Sequence, residues 1–194
     1  PTNAAILYAA AVNGGLWRST NANAANPQWT RLFDTGASLS MASLRFDPTD
    51  ATAQTLLAGS GRVSSLGGAG GARIGVLRTT DGGATWSVVS FALVSGAGGS
   101  GLPAGSTSDL VGDPGNNSLL YTVVVSGAAQ GIYRSTDTGA TWIKVSDAPT
   151  DALITSGIRG LLAVGQTANV FIAIVGSNGR LSAVIQSANG TSGW

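Results

Sequence analysis

Two short segments of this chain each bring an acidic side chain, a glycine turn and an aromatic ring close together. Residues 79–86 read TTDGGATW, and residues 135–142 read STDTGATW. A carboxylate beside a hydroxyl is a candidate general acid or base, and it is also a candidate cation ligand. The same residues suit a tight turn in which the carboxylate accepts backbone hydrogen bonds. The sequence must therefore decide between a repeated reaction centre and a repeated structural part.

The composition excludes several kinds of chemistry. The 194 residues include no His and no Cys, and all nine acidic residues are Asp. An imidazole base, a Ser-His-Asp triad, a catalytic thiolate and the usual zinc sites are therefore excluded. The net charge of +1 gives no indication of nucleic-acid binding, and no apolar run is long enough to predict a membrane span. The sequence predicts no catalytic residue, no metal and no cofactor.

The two segments belong to a repeat that occurs four times. Its closing tryptophans are separated by 57, 56 and 52 residues. Asn replaces the Asp in the first and fourth copies, and the fourth copy lacks the Gly and Thr of the pattern. The equivalent positions are Ser19, Asn21 and Trp29; Thr79, Asp81, Gly83, Thr85 and Trp86; Ser135, Asp137, Gly139, Thr141 and Trp142; and Ser187, Asn189 and Trp194.

Each repeat unit contains four short apolar segments, which we label strands A to D. An Asp-Pro turn separates A from B in the second and third units, and the repeated segment joins C to D. Four short strands in a unit of this length are typical of a β-propeller blade, because only stacking between blades covers both apolar faces of the sheet. A β-solenoid is the alternative, but its coils normally have a shorter repeat.

The predicted fold is therefore all-β, a β-propeller of four-stranded antiparallel blades. This chain holds about three and a half blades of a ring of about six to eight. The first unit lacks strand A and the last lacks strand D, so further blades are expected from the same polypeptide or from another chain. Within a single segment 1–194, the blades are expected at 1–34, 42–91, 106–147 and 157–194, the first and last being incomplete.

The pattern Ser/Thr-x-Asp-x-Gly-x-Thr-Trp resembles the Asp-box, or bacterial neuraminidase repeat. This repeat is found in sialidases, xyloglucanases, sortilin-type receptors and photosystem II assembly factors. Because these families differ in activity, the resemblance implies the blade rather than a reaction. We expect the Asp to accept hydrogen bonds within its own turn, the Gly to adopt a positive φ and the Trp to be buried. A calcium site would need more acidic ligands than one Asp in eight residues.

The predicted topology separates two faces of the molecule. A–B and C–D turns lie at one end of each blade, and the irregular B–C and D–A connections lie at the other. Two long connections, 59–73 and 90–108, consist mostly of Gly, Ser and Ala. Binding groups are commonly carried on loops of a rigid scaffold, so Arg62, Arg73 and Leu102 are the candidate binding-face residues. The alternative is that these loops are only spacers or lids.

Two family active sites can be compared with this chain. Arg18, Arg78 and Arg134 occupy one repeat position and could suggest the arginine triad of sialidases, but the chain has no Glu, and pairing with nearby Asp or carbonyl groups is favoured. The segment 8–19 is similar to a xyloglucanase segment in which an Asp before Gly-Gly is catalytic. Asn13 stands at that position, and an amide cannot act as an acid or base.

These observations predict a non-catalytic scaffold that binds protein or polysaccharide, located outside the cell, at its surface or in the periplasm. One alternative is a segment of a xyloglucanase-like glycoside hydrolase whose catalytic Asp residues lie elsewhere. A second alternative is an assembly factor that docks on a membrane complex.

Overall fold

The computed structural model describes residues 3–34, 36, 38–47, 50–63, 68–89, 101–103, 105–116, 118–127 and 129–194. These residues form fourteen strands and one short helix. In chain order they are β1 (Leu7–Ala11), β2 (Gly15–Ser19), β3 (Thr30–Phe33), β4 (Met41–Phe46), β5 (Leu56–Ser60), β6 (Val76–Thr79), β7 (Ser87–Val89), β8 (Gly105–Gly112), β9 (Leu120–Gly127), β10 (Gly131–Ser135), β11 (Ile143–Lys144), α1 (Ala148–Ser156), β12 (Gly157–Val164), β13 (Val170–Gly176) and β14 (Leu181–Ser187).

The strands form four antiparallel sheets in which neighbours along the chain are also neighbours in the sheet. The first sheet is β1-β2-β3, the second β4-β5-β6-β7, the third β8-β9-β10-β11 and the fourth β12-β13-β14. This is the blade arrangement of a β-propeller. The blade boundaries and the ring of about six to eight blades remain predictions.

Buried side chains between consecutive sheets form the core. One cluster joins the second and third sheets around Leu57, Val76, Leu120 and Trp142. A second cluster joins the third and fourth sheets, and a third joins the first and second. Each sheet is therefore stabilised mainly by stacking on its neighbour, as expected for a sheet with two apolar faces.

Polar groups also connect the first strands of successive sheets. Asp109 on β8 pairs with Arg45 on β4 through Oδ1 and Nη2 at 3.5 Å, and its Oδ2 accepts a hydrogen bond from the Leu162 N–H on β12 at 2.9 Å. The Ser108 hydroxyl donates to the Gly160 carbonyl and accepts from the Gly160 N–H. Asp109 therefore links three sheets, a role that its position in the sequence did not indicate.

Helix α1 lies in the connection between the third and fourth sheets, where the repeat predicts only an irregular segment. Its N-cap is Asp147, whose side chain accepts a hydrogen bond from the Thr150 N–H at 3.0 Å, and Pro149 occupies the first turn. An Asp followed by Pro in this way is a recognised helix start. The helix therefore has a local signal in the sequence, although the four-strand repeat predicts none there.

Candidate functional site

The box at residues 79–86 is a closed network of hydrogen bonds at the turn between β6 and β7. Asp81 accepts from the Thr85 N–H at 2.9 Å, from the Thr85 hydroxyl at 2.6 Å and from the Thr79 hydroxyl at 2.7 Å. The Thr79 hydroxyl oxygen in turn accepts from the Gly83 N–H, and the Trp86 indole N–H donates to the Gly83 carbonyl. The acceptor capacity of the carboxylate is therefore directed at its own turn.

The box at residues 135–142 repeats this network between β10 and β11. Asp137 accepts from the Thr141 N–H at 2.8 Å, from the Thr141 hydroxyl at 2.6 Å and from the Ser135 hydroxyl at 2.8 Å. The Gly139 N–H donates to Ser135, and the Trp142 indole donates to the Gly139 carbonyl at 3.1 Å. The same arrangement at two places indicates a structural unit.

The network lowers the pKa of both carboxyl groups. For Asp81, the side-chain hydrogen bond from Thr85 lowers the pKa most, followed by the Thr85 N–H and the Thr79 hydroxyl. For Asp137, burial raises the pKa, but hydrogen bonds from Thr141 and Ser135 outweigh this and leave the pKa lowered. Both groups are ionised at neutral pH, so neither suits the role of a general acid.

The two boxes with Asn keep the turn with one side-chain acceptor oxygen in place of the two of a carboxylate. Asn21 accepts from the Gln28 N–H at 2.8 Å, and Asn189 accepts from the Thr191 N–H at 2.9 Å. The fourth copy has no glycine at the position that the pattern predicts. In the structure, Gly190 replaces it one position earlier, with φ 65° and an N–H that donates to the Ser187 hydroxyl.

The boxes also hold each sheet against the one before it. A Cβ on Gly83 would lie 2.6 Å from Leu32 of the first sheet, and Cβ atoms on Gly139 and Gly190 would overlap Leu57 and Tyr121. Three of the box tryptophans also pack toward the preceding sheet. Trp86 contacts the cluster between the first and second sheets, and Trp142 is buried between the second and third sheets. The Trp194 indole N–H donates to the Val145 carbonyl, just after the last strand of the third sheet. Trp29 is 42% exposed, because no sheet precedes it among the described residues.

The three repeat-equivalent arginines do not form one clamp. Arg78 donates from Nε to the carbonyl oxygen of Thr138, in the box of the next sheet, at 3.3 Å. The guanidinium carbon of Arg18 lies 5.7 Å from the centroid of the Tyr8 ring. Arg18 also lines a separate cavity between the first and second sheets. Arg78 therefore pairs with a carbonyl, as predicted, and the two side chains serve different interfaces.

The opposite face carries a cleft of about 310 Å³ at the ends of strands from three sheets. Arg62, Val63 and Arg73 line it from the connection between β5 and β6, Ser126 from the end of β9, and Ile158 from the start of β12. None of the described lining residues is acidic or aromatic. The cleft is thus a cationic and apolar depression on the face that the sequence predicted for binding.

Hydrogen bonds hold the two arginines of the cleft. Arg62 donates from Nε to the Gly71 carbonyl at 2.8 Å, and Arg73 donates from Nη1 to the Ser126 hydroxyl at 2.7 Å. The structure therefore brings Arg62 and Arg73 to one cleft. The prediction for Leu102 is wrong, because this residue is fully buried in the cluster between the second and third sheets and is inaccessible to a ligand.

Asn13 lies in the turn between β1 and β2 with φ 64°. Its side-chain oxygen accepts hydrogen bonds from the Ser40 hydroxyl at 2.8 Å and from the Gly71 N–H at 3.2 Å. The amide therefore ties the first sheet to the connection that carries Arg62 and Arg73. This long-range contact was not visible in the sequence.

The described residues contain no group of three or more His, Cys, Asp or Glu side chains placed to hold a metal ion. No helix in this part of the chain is both long and apolar enough to cross a membrane.

Comparison with known proteins places the chain near xyloglucanases. A xyloglucanase from Paenibacillus sp. is 34% identical over 150 residues, which cover 74% of this chain and 13% of the relative. The chain thus spans only a small part of that protein. A search of known family profiles gives no match.

Solved structures show the same fold. An ancestral GH74 enzyme matches with a TM-score of 0.66 and 21% identity over 96% of this chain and 23% of its own. The GH74 xyloglucanase from Xanthomonas campestris matches with a TM-score of 0.64 and 19% identity, over 97% of this chain and 28% of the xyloglucanase chain. YCF48 from Cyanidioschyzon merolae matches with a TM-score of 0.50 and 20% identity, over 84% of this chain and 38% of the YCF48 chain. The predicted all-β propeller fold is confirmed, whereas membership of the Asp-box family stays a prediction.

We expect the box glycine to be required for both its backbone conformation and its contact with the preceding sheet. Gly139 has φ 85° and faces Leu57, whereas Gly179 in the turn between β13 and β14 has φ 73° and open space around its Cα. Gly179→Ala should cost about 1 kcal/mol from backbone strain alone. Gly139→Ala should cost about 3 kcal/mol, because overpacking is added. Urea unfolding measures the free energy of unfolding of both variants. An equal decrease in the two variants would contradict the packing role of Gly139.

We expect the boxes to make stability fall in acid. A lowered native pKa means that the stabilisation is complete above the unfolded value of about 4 and is lost as pH falls through the native pKa. The double variant Asp81→Asn, Asp137→Asn should therefore show a smaller fall in melting temperature between about pH 5 and 3. Asn21→Asp should show a larger fall in melting temperature over this pH range than the unmodified chain. Unchanged slopes in both variants would contradict this role of the carboxylates.

Proposed function

We propose that this chain is a polysaccharide-binding segment of a xyloglucanase-like β-propeller. The observation that carries the proposal is the cleft built from three sheets on the face of the irregular connections. Two further observations support it: the identity of 34% with a xyloglucanase and the fold shared with GH74 enzymes. Secretion or display at the cell surface belongs to the same proposal, since a polymeric glycan must be met outside the cell.

In this proposal the segment supplies binding surface, and the catalytic carboxylates lie elsewhere in the longer protein. Hydrolysis of a glycosidic bond ordinarily needs two carboxyl groups that face each other across the substrate. The carboxylates of Asp81 and Asp137 are directed at their own turns, on the face opposite the cleft. Asn13 is an amide whose oxygen already accepts two hydrogen bonds.

We expect the isolated chain to bind glycan without cleaving it. Ile158 lines the cleft and is 49% exposed, whereas Ile143 is 46% exposed on the outer strand of the third sheet and does not line the cleft. Ile158→Ser should weaken binding about fivefold, because roughly 1 kcal/mol of apolar contact is removed. Ile143→Ser should leave binding unchanged.

The measurement pairs calorimetry on xyloglucan and a panel of neutral and charged glycans with a reducing-end assay. Binding to none of these glycans would remove the proposal. Release of reducing ends by this chain alone would instead assign catalysis to it and overturn the division of roles.

A second part of the proposal concerns protein partners. One face of the fourth sheet exposes Leu161, Leu181 and Val184, and Leu161 and Val184 are each paired with Ala173 of β13. Because the boxes of the second and third sheets and the box after β14 each pack on the preceding sheet, we propose that the box of another blade covers this face. That blade comes from the same polypeptide or from another chain. Docking on a membrane complex stays a prediction from the sequence, without a structural observation to favour it.

We expect this face to cause self-association of the chain when no further blade covers it. The double variant Leu181→Lys, Val184→Lys should remain monomeric at concentrations where the unmodified chain associates, since charge on an apolar face opposes its burial. Val88→Lys is the control, because Val88 is 40% exposed on a different sheet. Sedimentation velocity over a concentration series measures this. An unmodified chain that stays monomeric throughout would contradict the proposal.

A further inference from the structure

We infer that the cleft selects a glycan that carries carboxylate groups, such as a chain of uronic acid residues, and that Arg62 and Arg73 recognise the carboxylate. The inference rests on the proposed function and specifies its substrate class.

The described lining of the cleft carries positive charge and no negative charge. The net charge of the chain is only +1, yet two of its ten cationic side chains line one small cleft. All nine Asp residues lie in the described part of the chain, and none of them lines the cleft. Arg73 takes no part in the three ion pairs of the described residues, which involve Arg31, Arg45 and Lys144. The local field therefore favours an anion.

Hydrogen bonds orient the two guanidinium groups of the cleft. A guanidinium has five N–H donors in a planar fork that matches a carboxylate. The Ser126 hydroxyl, which belongs to the neighbouring sheet, anchors Arg73 by one Nη1 hydrogen bond and also accepts from the Ser106 N–H at 3.1 Å. The Gly71 carbonyl anchors Arg62 through Nε. Anchored side chains lose less conformational entropy when a ligand binds, so both are prepared for recognition.

The other described residues of the cleft lining are uncharged. Sites for neutral sugars commonly stack the sugar ring on an aromatic side chain, and no described lining residue is aromatic. Val63, Val125 and Ile158 instead offer a small apolar surface for the C–H groups of a sugar ring. The volume of about 310 Å³ equals that of about ten water molecules, which suits one or two sugar rings. Charge must then supply much of the selectivity.

The test compares three ligands on the full 194-residue chain by calorimetry: trigalacturonate, its methyl ester and a neutral xyloglucan oligosaccharide. We expect trigalacturonate to bind at least about tenfold more tightly than its ester, since a charge-assisted hydrogen bond is stronger than a neutral one. Its affinity should fall as salt is raised.

Substitutions of the cleft arginines test whether these two side chains cause the preference for trigalacturonate. Arg73→Ala should weaken trigalacturonate binding about tenfold and leave binding of the ester unchanged. Arg62→Ala is a second variant with the same expectation, which keeps the test decisive if one variant does not fold. The matched control is Arg180→Ala, because Arg180 is exposed at the turn between β13 and β14 on the same face but outside the cleft lining.

The outcomes separate the two proposals. Equal binding of trigalacturonate and its ester, or equal loss in Arg180→Ala and Arg73→Ala, would overturn the inference and leave the proposed function standing. Tighter binding of dextran sulfate that is insensitive to both cleft variants would also overturn it, as general polyanion attraction. Binding of no glycan at all would remove the proposed function as well.

Discussion

Close approach between each box turn and the sheet before it is the contact on which the rest of this structure depends. A side chain at Gly139 would overlap Leu57, and Trp142 is fully buried in the adjoining interface. A sheet with two apolar faces cannot be stable alone, so the stacking distance sets how much of each face is buried. The hydrogen bonds of Asp137 hold the turn in the conformation that brings Gly139 against Leu57.

This constraint also decides where chemistry can occur. A carboxylate that accepts three hydrogen bonds from its own turn has a lowered pKa, and it stabilises packing rather than a substrate. Asp109 illustrates the same principle inside the molecule, where one carboxylate contacts Arg45 and the Leu162 N–H on two different sheets. The Asp residues that look reactive in the sequence are thus used for assembly. Groups able to meet a ligand are found on the opposite face.

The repeat made much of this architecture predictable. The spacing of the closing tryptophans indicated four units, and the alternation of turns placed Arg62 and Arg73 on one face. Short-range signals were less secure where the pattern is degenerate, since Gly190 takes the place of the box glycine one position early. Helix α1 lies outside the repeat and begins at Asp147, with Pro149 in its first turn.

What the sequence could not provide was contact between distant residues. Leu102 was predicted on the binding face because it belongs to the long connection 90–108, yet it is buried in the core. The contacts of Asn13 with Gly71, and of Arg73 with Ser126, join residues 58 and 53 positions apart. Such contacts depend on the stacking of whole sheets and have no local periodicity that could reveal them.

The same dependence gives the cleft a physical link to the stability of the fold. Arg73 comes from the second sheet and Ser126 from the third, so their hydrogen bond exists only when these sheets are stacked. A ligand that binds the stacked form and not the separated sheets must stabilise the stack by mass action. The box face and the cleft face are therefore two ends of one interface: the boxes fix the stacking distance at one end, and that distance assembles the binding groups at the other.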